Sequence, residues 1–278
     1  MSAEARRSSL RTAKGWPATV TDEQPEFNLR GIFATDADGS LHNVREALTV
    51  TLASSVPGVA TVDSLTVTIP AGSYYSNTAR WSPIAVGTAQ ITARDDRAVY
   101  QKYTTGAANI AVTTPPLMFG NAPNVLGVGQ YTDGMYVLTN ETQPSALPVT
   151  LSHPGTARTS TPASVTIPAG SYYAYFRTSA LSAGTDTLIA SAQSPAHLPD
   201  TVFTIVGKGR IDPIGNWPAS LAVGDSVPVT IYARDPQQNT RYLIAATTWS
   251  LSHNANIEFR SGGAAITSIT IPANADRV

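Results

Sequence analysis

Hydrophobic and polar positions alternate along this chain in short runs. Leu65, Val67 and Ile69 are separated by Thr66 and Thr68, the two-residue period of a strand with one buried and one wet face. Threonine on the wet side is itself a good strand former. Ala89, Ile91 and Ala93 repeat the pattern in 87–93, with the core-facing side predicted to be alanine and isoleucine. In the related run 184–190, Asp186 falls where an inward alanine is expected, and Ile189 competes for the alternation. Further strands are predicted near 108–112 and 201–206. Gly, Pro, Asn and Asp bound these runs throughout, and no stretch combines a 3.6-residue period with helix caps. The expected class is all-β.

One stretch recurs. Val67-Thr68-Ile69-Pro70-Ala71-Gly72-Ser73-Tyr74-Tyr75 returns as Val165-Thr166-Ile167-Pro168-Ala169-Gly170-Ser171-Tyr172-Tyr173, and in eroded form as Ile269-Thr270-Ile271-Pro272-Ala273-Asn274-Ala275. Proline has no N–H for a ladder, so Pro70, Pro168 and Pro272 mark strand ends. Gly72, Gly170 and Asn274 share a tolerance for positive φ, which predicts a tight turn. The Tyr-Tyr pair then opens the next strand, one ring inward and the other on the surface. Trp16-Pro17 and Trp217-Pro218 keep the same register, as do Leu151-Ser152-His153 and Leu251-Ser252-His253. The repeat of about a hundred residues has the size of a β-sandwich with some seven short strands.

This spacing divides the chain into a polar tail at 1–13, with Arg6, Arg7 and Arg11, and units at 14–115, 116–208 and 209–278. Proline- and glycine-rich links separate the units. The third has few residues after Pro272, so it is expected to lack the aromatic strand, the Gly-Thr strand and the closing strand. Either further polypeptide or a neighbouring chain would complete it, and Ile269, Ile271 and Pro272 are the expected assembly edge.

The succession of VTIPAGS, an aromatic strand, a GTAxITA-like strand and a closing strand before a proline-rich link resembles bacterial immunoglobulin-like (Big-type) tandem domains. The resemblance implies tandem Ig-like Greek-key β-sandwiches, the third incomplete. It also implies a non-enzymatic structural part of a bacterial cell-surface or extracellular fibre or adhesin, with copies of itself or a larger surface assembly as partners. A glycan- or protein-binding module working through inter-strand loops, and a phage virion accessory protein, are the alternatives. The family supplies no catalytic residue.

Composition narrows the chemistry. Charged residues are 13% of the chain and the net charge is −1, which leaves no electrostatic footprint for nucleic acid. No apolar run reaches the roughly 18 residues of a membrane-spanning helix, and no apolar segment follows the basic N-terminal residues. The expectation is therefore neither nucleic-acid binding nor membrane insertion; a secreted protein would look like this as a mature form or an internal fragment. With no cysteine, disulfides, zinc-thiolate sites and thiol catalysis are absent together. Asp36-Ala37-Asp38-Gly39 has the look of a sparse calcium loop, against which stands a plain Asp-Gly turn. Asp95-Asp96 and the Asp235 loop are weaker versions. His42, His153, His197 and His253 are dispersed without a metal-binding spacing, and no GxSxG elbow is present. Lys14, Lys102 and Lys208 lie near unit ends, which argues against an isopeptide cross-link. The tyrosine pairs could form a stripe for sugar or protein, or pack between sheet faces.

Overall fold

The computed structural model describes residues 9–12, 18–22, 27–28, 32–36, 38–76, 78–97, 103–213 and 219–278. Both Trp-Pro pairs, Lys14, Lys102 and most of the polar tail lie outside the described residues. The chain divides into two compact units, Met1–Pro115 and Pro116–Val278.

The first unit carries β1 (Ser9–Thr12), β2 (Thr19–Thr21), β3 (Phe27–Asn28), β4 (Ile32–Thr35), β5 (Leu48–Ser54), β6 (Ala60–Val62), β7 (Thr66–Ile69), β8 (Tyr75–Ser76), β9 (Arg80–Pro83), β10 (Gly87–Asp95) and β11 (Gly106–Thr113). One sheet runs β2-β11-β10-β5-β7; facing it are β1-β4-β8 and β3-β9-β6. Residues from both sides, among them Ile32, Leu48, Ile69, Trp81, Ile91 and Ile110, close one core. Each such side chain contributes about 1.5–3 kcal/mol relative to leaving it exposed. Four residues of the expected tail, Ser9–Thr12, belong to this sandwich: β1 pairs with β4, and Leu10 is 2% exposed.

The second unit begins with β12 (Met118–Gly120), β13 (Val125–Gly127), β14 (Gln130–Leu138), β15 (Leu147–Ser152), β16 (Thr159–Ser160), β17 (Ser164–Ile167), β18 (Tyr173–Ala180), β19 (Gly184–Gln193) and β20 (Ala196–Gly207). The sheet β13-β20-β19-β15-β17 faces β12-β14-β18-β16, the same order as in the first sandwich. In both, the first strand of the larger sheet runs parallel to the last, and neighbours distant in sequence make the Greek key. Along β19 the inward side is Asp186, Leu188, Ala190 and Ala192, so the carboxylate does take the alanine position.

The remainder forms β21 (Arg210–Pro213), β22 (Ile231–Arg234), β23 (Tyr242–Leu243), β24 (Thr247–Ser250), β25 (Arg260–Ser261), β26 (Ala264–Ala265) and β27 (Ser268–Ile271) around a smaller core of Ile231, Ala233, Leu243 and Ile271. β24 pairs with β27 as β5 does with β7 and β15 with β17. In the complete sandwiches β5 and β15 also pair with β10 and β19; among the described residues β24 has no such second neighbour. Beside it a cavity of about 360 Å3 is lined by Gln130, Ala233, Leu243, Thr247 and Trp249.

The aromatic strand is not wholly missing from the third sandwich, as the sequence suggested. Ile231 and Val278 exchange backbone hydrogen bonds at 2.9 and 3.0 Å, and Tyr232 bridges Arg277. Asp276-Arg277-Val278 thus lie beside β22 as Tyr74-Tyr75-Ser76 lie beside β4. The strand begins, with Asp-Arg in place of Tyr-Tyr.

Candidate functional site

The repeated motif builds the same turn three times. The carbonyl of Pro70, Pro168 or Pro272 accepts the N–H of Ser73, Ser171 or Ala275 at 3.0, 3.0 and 3.3 Å. Gly72, Gly170 and Asn274 sit at φ 77°, 80° and 60°, the left-handed third position of a type II turn. Each turn docks on the segment preceding the central strand: Gly72, Gly170 and Asn274 donate to the carbonyls of Val44, Gln143 and Leu243, whose own N–H groups donate to Ser73, Ser171 and Ala275. The six motif residues therefore fix backbone. Ile271 is fully buried and Ile269 packs against the same small core, so both point inward. Their strand, β27, occupies the place of the edge strands β7 and β17; the neighbour missing relative to the other sandwiches is on β24.

Asp36 also closes a hairpin. Its Oδ1 accepts the N–H groups of Asp38 and Ser40 at 3.0 and 2.9 Å, and Oδ2 meets His42 Nε2 at 2.9 Å. The Ser40 N–H, with His42 and the Asp38 N–H, holds the carboxyl below its ordinary value. Asp235 does the same in the third sandwich, accepting Gln237 N and Asn239 N at 2.9 Å and Arg241 Nε at 3.0 Å. A calcium ion at Asp36 would compete with these donors; Asp38 is exposed. Among the described residues no three His, Asp or Glu side chains converge on a metal position.

A histidine–carboxylate pair that sequence spacing did not show lies in the second sandwich. His153 Nδ1 meets the Asp186 carboxylate at 3.2 Å, and Nε2 meets Thr161 Oγ1 at 3.3 Å. That connectivity is relay-like, but the carboxylate also accepts Arg158 N at 3.0 Å, Thr159 N at 2.6 Å, Thr159 Oγ1 and its neighbour Thr187 N. Burial alone would push Asp186 up; the Thr159 hydroxyl and N–H and the His153 ring outweigh it and hold the carboxyl below the ordinary value of 3.8. The first sandwich solves the same position without charge: Ala89 replaces Asp186, Ser54 replaces His153, and Val59 takes the place of Arg158 beneath Gly87. The one sequence clue was Asp186 at an inward position.

The tyrosine pairs do not split between core and surface as expected. Tyr74 and Tyr75 are both exposed; Tyr172 is exposed and Tyr173 half-buried. The alternation starts only after the turn, with Ser76 and Ala174 as the first inward-facing residues. The rings consequently gather on the outer face: Phe33, Tyr74 and Tyr75 in the first sandwich, and Tyr136, Tyr172, Tyr173 and Tyr175 in the second.

The second and third sandwiches are locked by a polar joint. Gln130, 2% exposed, accepts the Gly127 N–H through Oε1 and donates through Nε2 to the Arg234 carbonyl, both at 2.9 Å. β23 pairs with β14 at Gln130–Leu243 and Tyr131–Tyr242. Tyr131 donates its hydroxyl to Asn274 Oδ1 at 3.0 Å, stacks on Tyr242 at 5.5 Å, and carries the Arg177 guanidinium over its ring at 3.9 Å. Asn274 thus supplies the left-handed turn residue and a bond that glycine cannot make. A Cβ on Gly127 would lie 2.6 Å from Gly209 Cα, so the two backbones meet closely.

The chain matches no family model and no curated protein. It is similar to the S-layer protein rSbsC(31-844), at 14% identity over 96% of this chain and 36% of that one, TM-score 0.31. It is also similar to the Yersinia pseudotuberculosis adhesin InvE, at 14% identity over 82% of this chain and 67% of that one, TM-score 0.29. A third likeness is to red sea bream transglutaminase, at 16% identity over 73% of this chain and 31% of that one, TM-score 0.36. The chain spans about a third of the S-layer protein's length. Likeness at this level assigns neither activity nor partner.

Proposed function

We propose that this chain is a non-enzymatic structural segment of a bacterial cell-surface or extracellular fibre or adhesin, in which Ig-like sandwiches act as spacers. The observation that supports it is the joint: polar groups far apart in sequence are used to hold one sandwich on the next, where a mere linker would need none of them. A strand added on the free side of β24, by continued polypeptide or a neighbouring copy, would extend the assembly. Two measurements test the reading. Antibody against the chain should label intact, unpermeabilised cells; label appearing only after lysis refutes the location. Pulling the full chain from its ends should give stepwise unfolding in which the second and third sandwiches yield together or in immediate succession. Separation of the third at negligible force refutes the spacer role.

A further inference from the structure

We infer that the outer face of β12, β14 and β18 is a binding platform for neutral carbohydrate, with Tyr136, Tyr172, Tyr173 and Tyr175 as its stacking surface. This goes beyond the spacer role and can fail without it.

The platform is shaped from below. Tyr136 stands opposite Tyr175 on β18 and opposite Gly120 on β12. A Cβ on Gly120 would lie 2.1 Å from the Tyr136 ring, so the missing side chain is what lets the ring lie down on the backbone. Tyr173 and Tyr175 meet Tyr136 edge-on, at 6.0 and 5.3 Å and interplanar angles of 65° and 77°. Tyr172 meets Tyr173 at 5.0 Å. Braced in this way, Tyr175 and Tyr172 remain 58% and 49% exposed.

The backbone beneath the rings is equally fixed. Ser171 Oγ accepts the Tyr173 N–H and donates to its carbonyl, and the Tyr172 carbonyl accepts the Thr139 N–H. A ligand would therefore find the surface already ordered, and preorganisation lowers the cost of binding. Phenol rings offer an apolar face beside a hydroxyl that both donates and accepts. That pairing suits a pyranose, with its C–H face and ring of hydroxyls.

Charge selects among ligands. At the margin Arg177 and Asp133 are paired with each other at 2.6 Å, and the Asp200 carboxylate at the β12 edge accepts the Phe119 and Thr201 N–H groups at 2.7 and 2.8 Å. The stacking surface itself is built of phenol rings and hydroxyls, complementary to a neutral polyol rather than to an anion or cation. A stable protein partner would have to bury on the order of 1,000 Å2 or more in total; four rings offer a smaller, flatter contact. The third sandwich supplies an internal contrast. There Tyr232 takes the place of Leu138 and bridges Arg277 where Leu138 pairs with Tyr173, and the guanidinium groups of Arg234 and Arg277 lie 5.3 and 5.6 Å from its ring centre. That ring is engaged by cations instead of tyrosines.

The test is binding of the full chain to immobilised neutral oligosaccharides of glucose, galactose and mannose, with sialylated and uronate-containing glycans as charged comparators. Binding to one or more neutral glycans is expected, weakened about tenfold or more in Tyr175→Ala and Tyr172→Ala, whose exposed positions leave the core intact. Gly120→Ala keeps every tyrosine but lifts the Tyr136 ring, and should weaken binding as well; circular dichroism checks that it folds. No binding to any glycan, binding to charged glycans alone, or neutral-glycan binding unchanged in both tyrosine variants would overturn the inference.

Discussion

Replacing Gln130 by alanine should uncouple the third sandwich from the second while leaving both folded. The side chain holds two backbone groups, accepting the Gly127 N–H and donating to the Arg234 carbonyl. Gly127 is buried, so its orphaned N–H bears most of the desolvation penalty, about 1–3 kcal/mol. The Arg234 carbonyl is part-buried and beside the joint cavity, where water can reach it, and about 1 kcal/mol is appropriate. Together these give roughly 2–4 kcal/mol, or about 30- to 700-fold in the opening equilibrium of the joint. Native-state hydrogen exchange on the full chain reads this directly. Ile244, whose N–H donates to the Gly129 carbonyl across the joint, and Leu243 and Asn274, which donate within the third sandwich, should all lose protection. Amides of Val137 and Val149 in the second core should not. A loss below about twofold at Ile244, or an equal loss in the second core, would refute the reasoning: the first means that Gln130 is not holding the joint, the second that it stabilises the sandwich itself.

Other outcomes follow from the same geometry. Asn274→Gly should keep the left-handed turn and lose only the Tyr131 bond, about 0.5–1.5 kcal/mol, whereas Asn274→Ala adds roughly 1–2 kcal/mol of backbone cost; equal losses by denaturant titration would show that the Tyr131 contact contributes nothing. Leu10→Ala should cost about 2–5 kcal/mol in the first sandwich by thermal unfolding, and no change would mean that β1 is as dispensable as a polar tail. Asp186 and Asp95 both have lowered carboxyl values, the latter because the Arg97 side chain and the Tyr103 N–H overcome its burial. Their contribution to stability is present above the unfolded value near 3.8 and is lost as pH falls through the lower folded values. Denaturation midpoints should therefore fall as pH drops below the unfolded value near 3.8, less steeply in Asp186→Asn; identical slopes would contradict it.

The strands were legible because burial follows a two-residue period, and the turn because glycine and asparagine share one backbone region. What stayed hidden depends on contacts that side-chain type does not advertise. Gln130 and Tyr131 meet Arg234 and Asn274 across 104 and 143 residues, and a glutamine beside a glycine in an exposed-looking loop gives no sign of burial. His153, just past the end of β15, and Asp186 on β19 stand 33 residues apart, and the pairing of those strands fixes them. The start of the aromatic strand in the third sandwich was concealed for the opposite reason: its backbone bonds are kept while Asp276 and Arg277 replace the tyrosines by which the strand was recognised. One ring of each tyrosine pair was misplaced because alternation was counted from the turn, although it begins one residue later.

Comparison of the three copies shows where such a fold is free to change. The turn at Pro70, Pro168 and Pro272 cannot vary its backbone, since its N–H and C=O groups hold the sandwich together at one point. The residue at its left-handed corner can vary only between types that tolerate positive φ, and Asn274 uses that small freedom to reach Tyr131. Inward positions permit an exchange of chemistry only as a set: Ala89 with Ser54 and Val59, or Asp186 with His153 and Arg158, because a lone Asp186 among apolar neighbours would be a buried charge without donors. Outward positions carry no such constraint, and there the copies differ most, with tyrosine rings in the first two sandwiches and an arginine-flanked Tyr232 in the third. Differences at constrained sites therefore mark the joint between sandwiches, and differences at unconstrained ones mark surfaces whose chemistry is set by something outside the fold.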